Sequence, residues 1–119
     1  MLKALVWLGS SRSDVRRFPD DARQRGGYEL YLVQSGLQPS DWKPMPSIGA
    51  GVREIRVHTD LEHRILYVAK FDEAIYVLHA FEKKSRKTAR YDLELRNSRL
   101  SELLRIRRIG VKSRKGTLP

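Results

Sequence analysis

Apolar and polar residues alternate most clearly in the middle of the chain. Three runs rich in Val, Ile, Leu, Tyr and Phe follow one another there, separated by two short polar breaks. Residues of these types fit the pleated, half-buried surface of a β-sheet. The pattern therefore predicts a three-stranded meander, with strands over Val52–Val57, Arg64–Phe71 and Ala74–Phe81.

Within the meander, the period of two assigns side chains to the two faces of the sheet. Strict alternation in the last strand predicts one face made of Ile75, Val77, His79 and Phe81, and an opposite face made of Tyr76, Leu78 and Ala80. Polar side chains interrupt one face of this otherwise apolar sheet, and they are Glu54, Arg56, Arg64 and Lys70. We expect these cations to lie near the basic residues that follow the last strand.

The segment before the meander carries helical signals. A first strand over Lys3–Leu8 is followed by serines that suit the start of a short helix ending at Phe18. Pro19 and two aspartates then begin a second helix, which runs to about Ser35 with Gly36 as its left-handed cap. Two helices in this order predict a hairpin that covers one face of the sheet. Two glycines inside the second helix, Gly26 and Gly27, weaken it or mark a close approach to the sheet.

The segment Leu37–Gly51 connects the second helix to the meander. It contains three prolines and two glycines, and so it is predicted to be extended and irregular. Trp42 lies in this segment. We expect its ring to anchor the segment on the body of the protein, and the alternative is that it stacks on a nucleic-acid base.

After the meander the pattern becomes helical again. Leucines at helical spacing predict a helix from about Ala89 to Arg105. Residues 106–119 are basic and poor in apolar residues, so they are predicted to form a disordered tail. The predicted organisation is therefore a single α+β domain over residues 1–105, followed by this tail.

Positive charge is concentrated in the last third of the chain. The net charge is +10, from 24 basic and 14 acidic side chains. Residues 1–81 hold 11 basic and 10 acidic side chains, whereas residues 82–119 hold 13 basic and 4 acidic ones. Concentrated positive charge attracts polyanions by neutralising phosphates and releasing counterions. The distribution favours a nucleic-acid or ribosome-binding protein over an unspecific solvated basic face.

Composition excludes several other classes of site. The chain has no cysteine, which excludes disulfides and thiolate metal ligands. Its three histidines, His58, His63 and His79, do not have metal-binding spacing, and no glycine-rich phosphate loop is present. No cofactor is therefore predicted. The apolar run Ala4–Leu8 is too short for a signal peptide, no stretch approaches a membrane span, and a cytoplasmic location is expected.

The chemistry that remains is phosphate chemistry. RNA carries its own nucleophile, the 2′-hydroxyl, so cleavage requires in-line positioning, stabilisation of the charged phosphorane and delivery of a proton to the leaving oxygen. Arginine and lysine supply donors where negative charge develops. A basic cluster directly after the last strand, made of Lys83, Lys84, Arg86 and Lys87, offers such donors. From these residues alone, simple docking of nucleic acid and catalysis are equally consistent with the pattern.

The order of strand, two helices, meander and helix resembles the RelE/ParE toxin superfamily of type II toxin–antitoxin modules, and more closely its HigB-like, phage-derived branch. The likeness extends from about Lys3 to Leu104. It is carried by LVWLGSS at Leu5–Ser11, DWKPMPSIGAGVREIR at Asp41–Arg56, EHRILYVAKF at Glu62–Phe71 and YVLHAFEKKSRKT at Tyr76–Thr88. The R-[IL]-[LIV]-Y motif is shared across the superfamily, whereas H-x-F-x-K-K-S-x-K-T is typical of the HigB-like branch.

This resemblance implies a RelE-like fold with a mostly antiparallel, twisted sheet, and a ribosome-dependent mRNA endonuclease without a metal. It implies cleavage in the A site that leaves a 2′,3′-cyclic phosphate, or its opened 3′-phosphate, and a 5′-hydroxyl. Such cleavage inhibits translation and growth. The implied partners are the ribosome, mRNA and a helix-turn-helix, HigA-like antitoxin. The alternative is a member without nuclease activity, either a ParE-like gyrase inhibitor or a nucleic-acid-binding module.

Site residues follow from the same resemblance. The implied catalytic residues are Arg64, Arg56, Lys83 and Lys84. The implied RNA-binding residues are Lys70, Arg86, Lys87, Arg90 and Tyr91, of which Tyr91 is the candidate for stacking on a base. The general base stays open among Glu54, Lys70 and His79.

Overall fold

The computed structural model describes residues 2–116. It has an α+β fold in which a mixed five-stranded sheet is combined with three helices, and this confirms the predicted fold class. The elements in chain order are β1 (Ala4–Trp7), α1 (Ser11–Arg16), α2 (Asp20–Gln34), β2 (Trp42–Pro44), β3 (Val52–His58), β4 (Glu62–Val68), β5 (Ala74–Glu82) and α3 (Arg90–Gly116).

The sheet has the strand order β1-β5-β4-β3-β2. The predicted meander β3-β4-β5 is antiparallel throughout, and β1 adds to β5 as a parallel strand. A parallel neighbour requires a crossover connection, because the chain must return to the starting end of the sheet. The helical hairpin α1–α2 is part of that connection and lies over one face of the sheet, as the sequence predicted.

The segment between α2 and β3 is more regular than the sequence indicated. Trp42–Pro44 forms a short edge strand that pairs antiparallel with β3. Proline is tolerated there because an edge strand leaves some backbone N–H groups outside the ladder. The Arg53 guanidinium lies 4.7 Å from the centre of the Trp42 ring, and the ring is half-buried. Trp42 therefore packs on the edge of the sheet, as expected of an anchor.

Two apolar clusters cover the two faces of the sheet. On one face, Ile55, Ile65 and Val77 pack against Leu30 and Val33 of α2. On the other face, Leu66, Val68, Leu78 and Phe81 pack against Leu103 of α3. In β3 and β4 the polar side chains Glu54, Arg56 and Arg64 share the face opposite to Ile55 and Ile65, as alternation predicted. The predicted strand is too long, however, because β4 ends at Val68 and does not include Lys70 or Phe71.

The alternation predicted for β5 is wrong in its second half. The pairing of β4 with β5 shifts between Leu66 and Tyr67, so that Leu66 pairs with His79 while Tyr67 pairs with Val77. The extra residue, Leu78, forms a β-bulge and interrupts the period of two. Phe81 consequently joins Leu78 on the α3 face, whereas Ala80 joins Val77 on the hairpin face.

Helix α3 is longer than predicted. It begins at Arg90 and continues past Arg105 to Gly116, so residues 106–116 are helical rather than irregular. The last three residues of the predicted tail, 117–119, lie outside the described residues. The division into a domain and a tail at residue 105 stays a prediction.

Candidate functional site

A cluster of buried charges lies on the α3 face of the sheet. Arg56 of β3 stands directly opposite Arg64 of β4, and like charges in such a pair repel each other. Glu54 lies between them, with its Oε1 atom 3.4 Å from Arg56 Nε and 3.6 Å from Arg64 Nε. The side chains of Glu54 and Arg64 are only 7% and 9% exposed. One buried carboxylate therefore compensates two guanidinium groups, of which that of Arg64 is buried and that of Arg56 is 34% exposed.

A second carboxylate holds Arg64 from the rim of the sheet. Glu62 Oε1 accepts a hydrogen bond from Arg64 Nη1 at 3.0 Å and also contacts His58 Nδ1 at 2.8 Å. His58 is bound on its other ring nitrogen by Asp41. Its hydrogen bonds to Asp41 and Glu62 raise the pKa of His58, and the same contact with His58, together with Arg64, lowers the pKa of Glu62. Arg64 is thus fixed in position by two carboxylates.

Helix α3 contributes a third arginine above this cluster. Burial lowers the pKa of Arg96, while the nearby Glu54 carboxylate opposes this effect. The buried Arg96 Nε atom has no hydrogen-bond partner within residues 2–116. Since an unsatisfied buried donor is unfavourable, this guanidinium offers hydrogen-bonding capacity to an anion that enters the cluster.

His79 forms a second functional group next to the arginine cluster. Its Nε2 atom lies 2.7 Å from Asp92 Oδ1 of α3, and its ring stacks on Phe81 at a centroid distance of 5.3 Å. The other ring nitrogen, Nδ1, is 4.0 Å from Asp14 Oδ2 of α1 and has no hydrogen-bond partner in the described part of the chain. A histidine held by a carboxylate in this way has the composition of a proton-transfer pair.

A cavity of about 400 Å³ opens where β5 ends and α3 begins. Three lysines of the loop after β5 line it together with Asp92, the partner of His79. The complete lining is Phe81, Glu82, Lys83, Lys84, Ser85, Lys87, Ala89 and Asp92. The cavity therefore combines a cationic wall, which suits a phosphate, with the Asp92 carboxylate, whose hydrogen-bonded partner His79 is 2% exposed and does not line the cavity.

The structure brings several of the predicted site residues together. Lys83, Lys84 and Lys87 line the cavity, and the Lys83 backbone N–H donates to the Glu62 carbonyl at 2.7 Å. Arg56 and Arg64 lie in the same cross-strand row as Phe81, which lines the cavity. The two open candidates for the base that share this region are Glu54, which is enclosed by arginines, and His79.

Other predicted residues lie apart from this group. Lys70 follows the end of β4 that is opposite to Glu62, and its ammonium group contacts the Phe71 ring at 5.1 Å. Arg86 is an exposed residue of the loop and does not line the cavity. Arg90 pairs with Glu94 on the surface of α3, and Tyr91 is 70% exposed on the same turn.

Glu62, which holds Arg64, and three residues of α3 were missed in the sequence. Asp92, Arg96 and Arg99 follow one another at positions i, i+4 and i+7, and Leu103 continues the same line at i+11. This spacing identifies one face of a helix. Because polar residues occupy three of these inward positions, the pattern itself indicated a helix that covers a polar site. In the structure Arg99 donates to the Leu78 carbonyl at the β-bulge at 3.0 Å, which fixes α3 over the sheet.

Comparison with known proteins assigns the family. Residues 13–101 match the family described as Phage derived protein Gp49-like (DUF891). The match covers most of the chain, so the protein belongs to this family, a RelE-like toxin family of toxin–antitoxin systems. No curated protein matches the chain. Within residues 2–116 no three His, Asp or Glu side chains are grouped to hold a metal ion, and no helix has the length and apolar character of a membrane span.

Proposed function

We propose that this protein is an mRNA endonuclease toxin of the HigB-like branch, which cleaves mRNA on the ribosome and so inhibits translation and growth. The observation that supports this proposal best is the cavity after β5. It places three lysines beside Asp92, which is hydrogen-bonded to His79. Cationic donors that line the cavity, together with a lining carboxylate that pairs with His79, offer two of the functions that cleavage by the RNA 2′-hydroxyl requires, namely charge stabilisation and proton transfer.

The proposed reaction uses the 2′-oxygen of the RNA as the nucleophile. It attacks the adjacent phosphorus, the bond to the 5′-oxygen breaks, and the products are a 2′,3′-cyclic phosphate and a 5′-hydroxyl. We assign the acceptance of the 2′-hydroxyl proton to the Asp92–His79 pair, in which the Asp92 carboxylate lines the cavity. Lys83 and Lys84 stabilise the charge on the phosphorane, and one of these ammonium groups donates the proton to the leaving oxygen.

The arginines have a different role in this proposal. Arg56 is 34% exposed and is available to a phosphate of the bound strand, whereas Arg64 is enclosed by Glu54 and Glu62. We assign to Arg64 the positioning of these two carboxylates and of the rim next to Lys83. We propose that flanking RNA is bound by exposed residues of the loop after β5 and the start of α3, namely the cations Arg86, Lys87 and Arg90 and the aromatic ring of Tyr91.

The enclosure of Arg64 also favours a second candidate function. A guanidinium that is already paired with two carboxylates has little capacity left for a scissile phosphate. This is the arrangement expected of a family member without nuclease activity, such as a gyrase inhibitor or a nucleic-acid-binding module. The first candidate cleaves mRNA, whereas the second inhibits DNA gyrase or binds nucleic acid without cleaving it.

The proposed partners and location follow from the family. A toxin of a toxin–antitoxin system is neutralised by an antitoxin, and we propose a helix-turn-helix antitoxin of the HigA type for this protein. Action on the ribosome places the active protein in the cytoplasm. No cofactor is required by the proposed chemistry, because the RNA supplies the nucleophile and the protein supplies the cations.

Primer extension on mRNA in a ribosome-containing translation reaction tests the proposal. We expect codon-phased cuts with the wild-type protein, and a rate at least about 100-fold lower with Lys83→Ala combined with Lys84→Ala. Arg16→Ala with Arg25→Ala is the matched control, since it removes two exposed cations from the other face of the sheet. It should cleave like the wild type.

Three results contradict the proposal. Unchanged cleavage by the lysine variant means that the cavity is not the active site. Equal losses in both variants mean that the cations act only through net charge. Absence of cuts by the wild-type protein, together with inhibition of gyrase supercoiling, assigns the second candidate function.

A further inference from the structure

The second half of α3 forms a basic surface far from the candidate active site. Leu103 is 1% exposed, whereas the residues from Leu104 to Gly110 are half-buried or exposed. Beyond it Arg107 still packs on the Phe71 ring and pairs with Glu73, whereas Leu104, Ile106 and Ile109 are 43–49% exposed. We name residues 105–116 the α3 arm. It continues the helix along an elongated molecule of 57 × 34 × 24 Å.

Cations of the α3 arm follow a helical spacing. Arg105, Arg108, Lys112 and Lys115 occur at positions i, i+3, i+7 and i+10, which place them on one line along a helix. Ten residues of helix correspond to about 15 Å. The backbone of α3 is helical to Gly116, and Arg105 and Arg108 are exposed. The only partner of Arg105 is Glu102 among the residues that the structure describes, in a surface pair that contributes little.

We propose that the α3 arm is a second nucleic-acid-binding site, which contacts the sugar–phosphate backbone of double-helical RNA. From Arg105 to the C-terminus the chain carries six cations and no acidic residue, so its interactions are dominated by positive charge. Basic positions at this helical spacing suit the regular phosphates of a duplex. Recognition of double-helical RNA depends largely on shape and phosphate contacts.

Two other ligands fit the arm less well. Single strands are bound largely by stacking of bases on aromatic side chains, and residues 105–119 contain no Phe, Trp or Tyr. A helix that lies on a membrane needs a broad apolar face, but Ile106, Ile109 and Val111 are the only apolar residues of the arm.

The arm is separate from the cavity that the proposed function uses. Asp92 lines the cavity, and about 24 Å of helix separate Asp92 from Arg108 at 1.5 Å per residue. Contact at the arm therefore leaves the cavity open to a single strand. The inference goes beyond the proposed function and does not depend on it, because it concerns binding and not cleavage.

Fluorescence anisotropy with the full chain tests the arm at a series of salt concentrations. The probes are a short mixed-sequence RNA duplex, an oligouridine strand and vesicles containing phosphatidylserine, and a denaturing gel verifies that the RNA stays intact. The arm variant replaces four residues with glutamine, Arg105→Gln, Arg108→Gln, Lys112→Gln and Lys115→Gln. The control removes the same charge from the helical hairpin by Arg12→Gln, Arg16→Gln, Arg23→Gln and Arg25→Gln, and all four of these side chains are exposed.

We expect the arm variant to bind the duplex about tenfold or more weakly, and to lower the slope of log affinity against log salt by about 3–4. The control should change the slope by less than about 1. The double variant Arg105→Lys with Arg108→Lys keeps the charge and should bind the duplex like the wild type. This result would show that the arm variant binds weakly because it lacks charge, and not because the substitutions disturb the helix.

Each of the opposite results overturns the inference. Equal losses in the arm variant and the control assign the binding to net charge. A loss that is as large for oligouridine as for the duplex assigns the arm to single strands. If the arm variant binds the duplex like the wild type but no longer binds the vesicles, the arm is assigned to a membrane surface.

Discussion

The two faces of the sheet bury different kinds of side chain. The face under the helical hairpin is filled with apolar side chains, such as Ile55 and Ile65, which are fully buried. The face under α3 has an apolar half around Leu66 and Leu103, and a charged half that contains Glu54 and Arg64. The same sheet therefore carries a conventional core on one side and a buried ionic cluster on the other.

The difference between the faces supports the location proposed for the functional site. Removing charged groups from water is unfavourable, and apolar residues of similar volume often stabilise a protein as well or better. The hairpin face follows this preference, whereas the α3 face keeps buried charges directly beside the cavity with Lys83. We infer that the charged half of the α3 face is retained for ligand binding and positioning rather than for stability.

The largest expected effect on stability comes from Glu54→Gln. This change removes the buried carboxylate that Arg56 and Arg64 share, and it leaves Glu62 as the remaining partner of Arg64. We expect a loss of about 2–3 kcal/mol in the free energy of unfolding, measured by urea denaturation, which is below the cost of a fully unpaired buried charge. Glu94→Gln is the matched control, because Glu94 pairs with Arg90 in an exposed contact, and it should change the stability by less than about 0.5 kcal/mol.

A small effect of Glu54→Gln on the free energy of unfolding would contradict the difference that we describe between the two faces. If its loss does not exceed that of Glu94→Gln, the charged half of the α3 face is solvated in solution, and it does not differ from an ordinary surface.

An intermediate effect is expected on the hairpin face. Gly26 of α2 is buried, and a Cβ atom added to it would lie 3.0 Å from Ile65 Cδ1. Gly26→Ala should therefore lower the free energy of unfolding by about 1–2 kcal/mol, since overpacking outweighs the gain in helix propensity. At Gly27 no atom lies within 4 Å of such a Cβ, and Gly27→Ala should raise the stability by about 0.5–1 kcal/mol.

Thermal unfolding of the two alanine variants measures this contrast. Stabilisation by both changes would mean that the hairpin face is loosely packed, and would contradict its description as a close-packed core.

The smallest effect concerns His58 at the rim of the charged half. Asp41 and Glu62 raise its pKa above 6.5, so the folded protein holds this proton more tightly than the unfolded chain. The resulting stability is complete below pH 6.5 and is lost as the pH rises through the pKa of the folded state. It amounts to less than about 1 kcal/mol, because nearly half of the His58 side chain is exposed and water screens its pairs.

Unfolding of the wild type and of His58→Gln at several pH values tests the direction of this pH dependence of stability. The stability difference should be largest between about pH 4.5 and 6.5, where Glu62 is ionised and His58 is charged, and should vanish at higher pH. The buried His63 has a lowered pKa and the opposite dependence, but it is present in both proteins and cancels. A difference that grows towards alkaline pH would contradict the assigned ion pairs.

Local sequence patterns were sufficient to predict the helices and strands and part of the candidate site. The β-rich runs located the meander, and Gly36 marked the end of α2, where it has a φ of 82°. The run of lysines after the last strand identified the wall of the cavity. These features depend on near neighbours in the chain, and residue types report such neighbours reliably.

Long-range contacts decided the remainder of the site. The edge strand Trp42–Pro44 exists because β3 offers it a partner, and the position of Lys70 at the far end of β4 follows from the register of the sheet. The pairing of His79 with Asp92 joins residues of two elements, which no local pattern connects.

The sequence by itself determined an α+β chain with a meander, a helical hairpin and a strongly basic last third. Only the tertiary structure decided which face of the sheet carries the site, because the bulge at Leu78 moves Phe81 to the α3 face. It also decided that Arg64 is enclosed by two carboxylates and that α3 continues as a basic arm. Residue type sets local propensity, whereas register and burial depend on the partners that packing supplies.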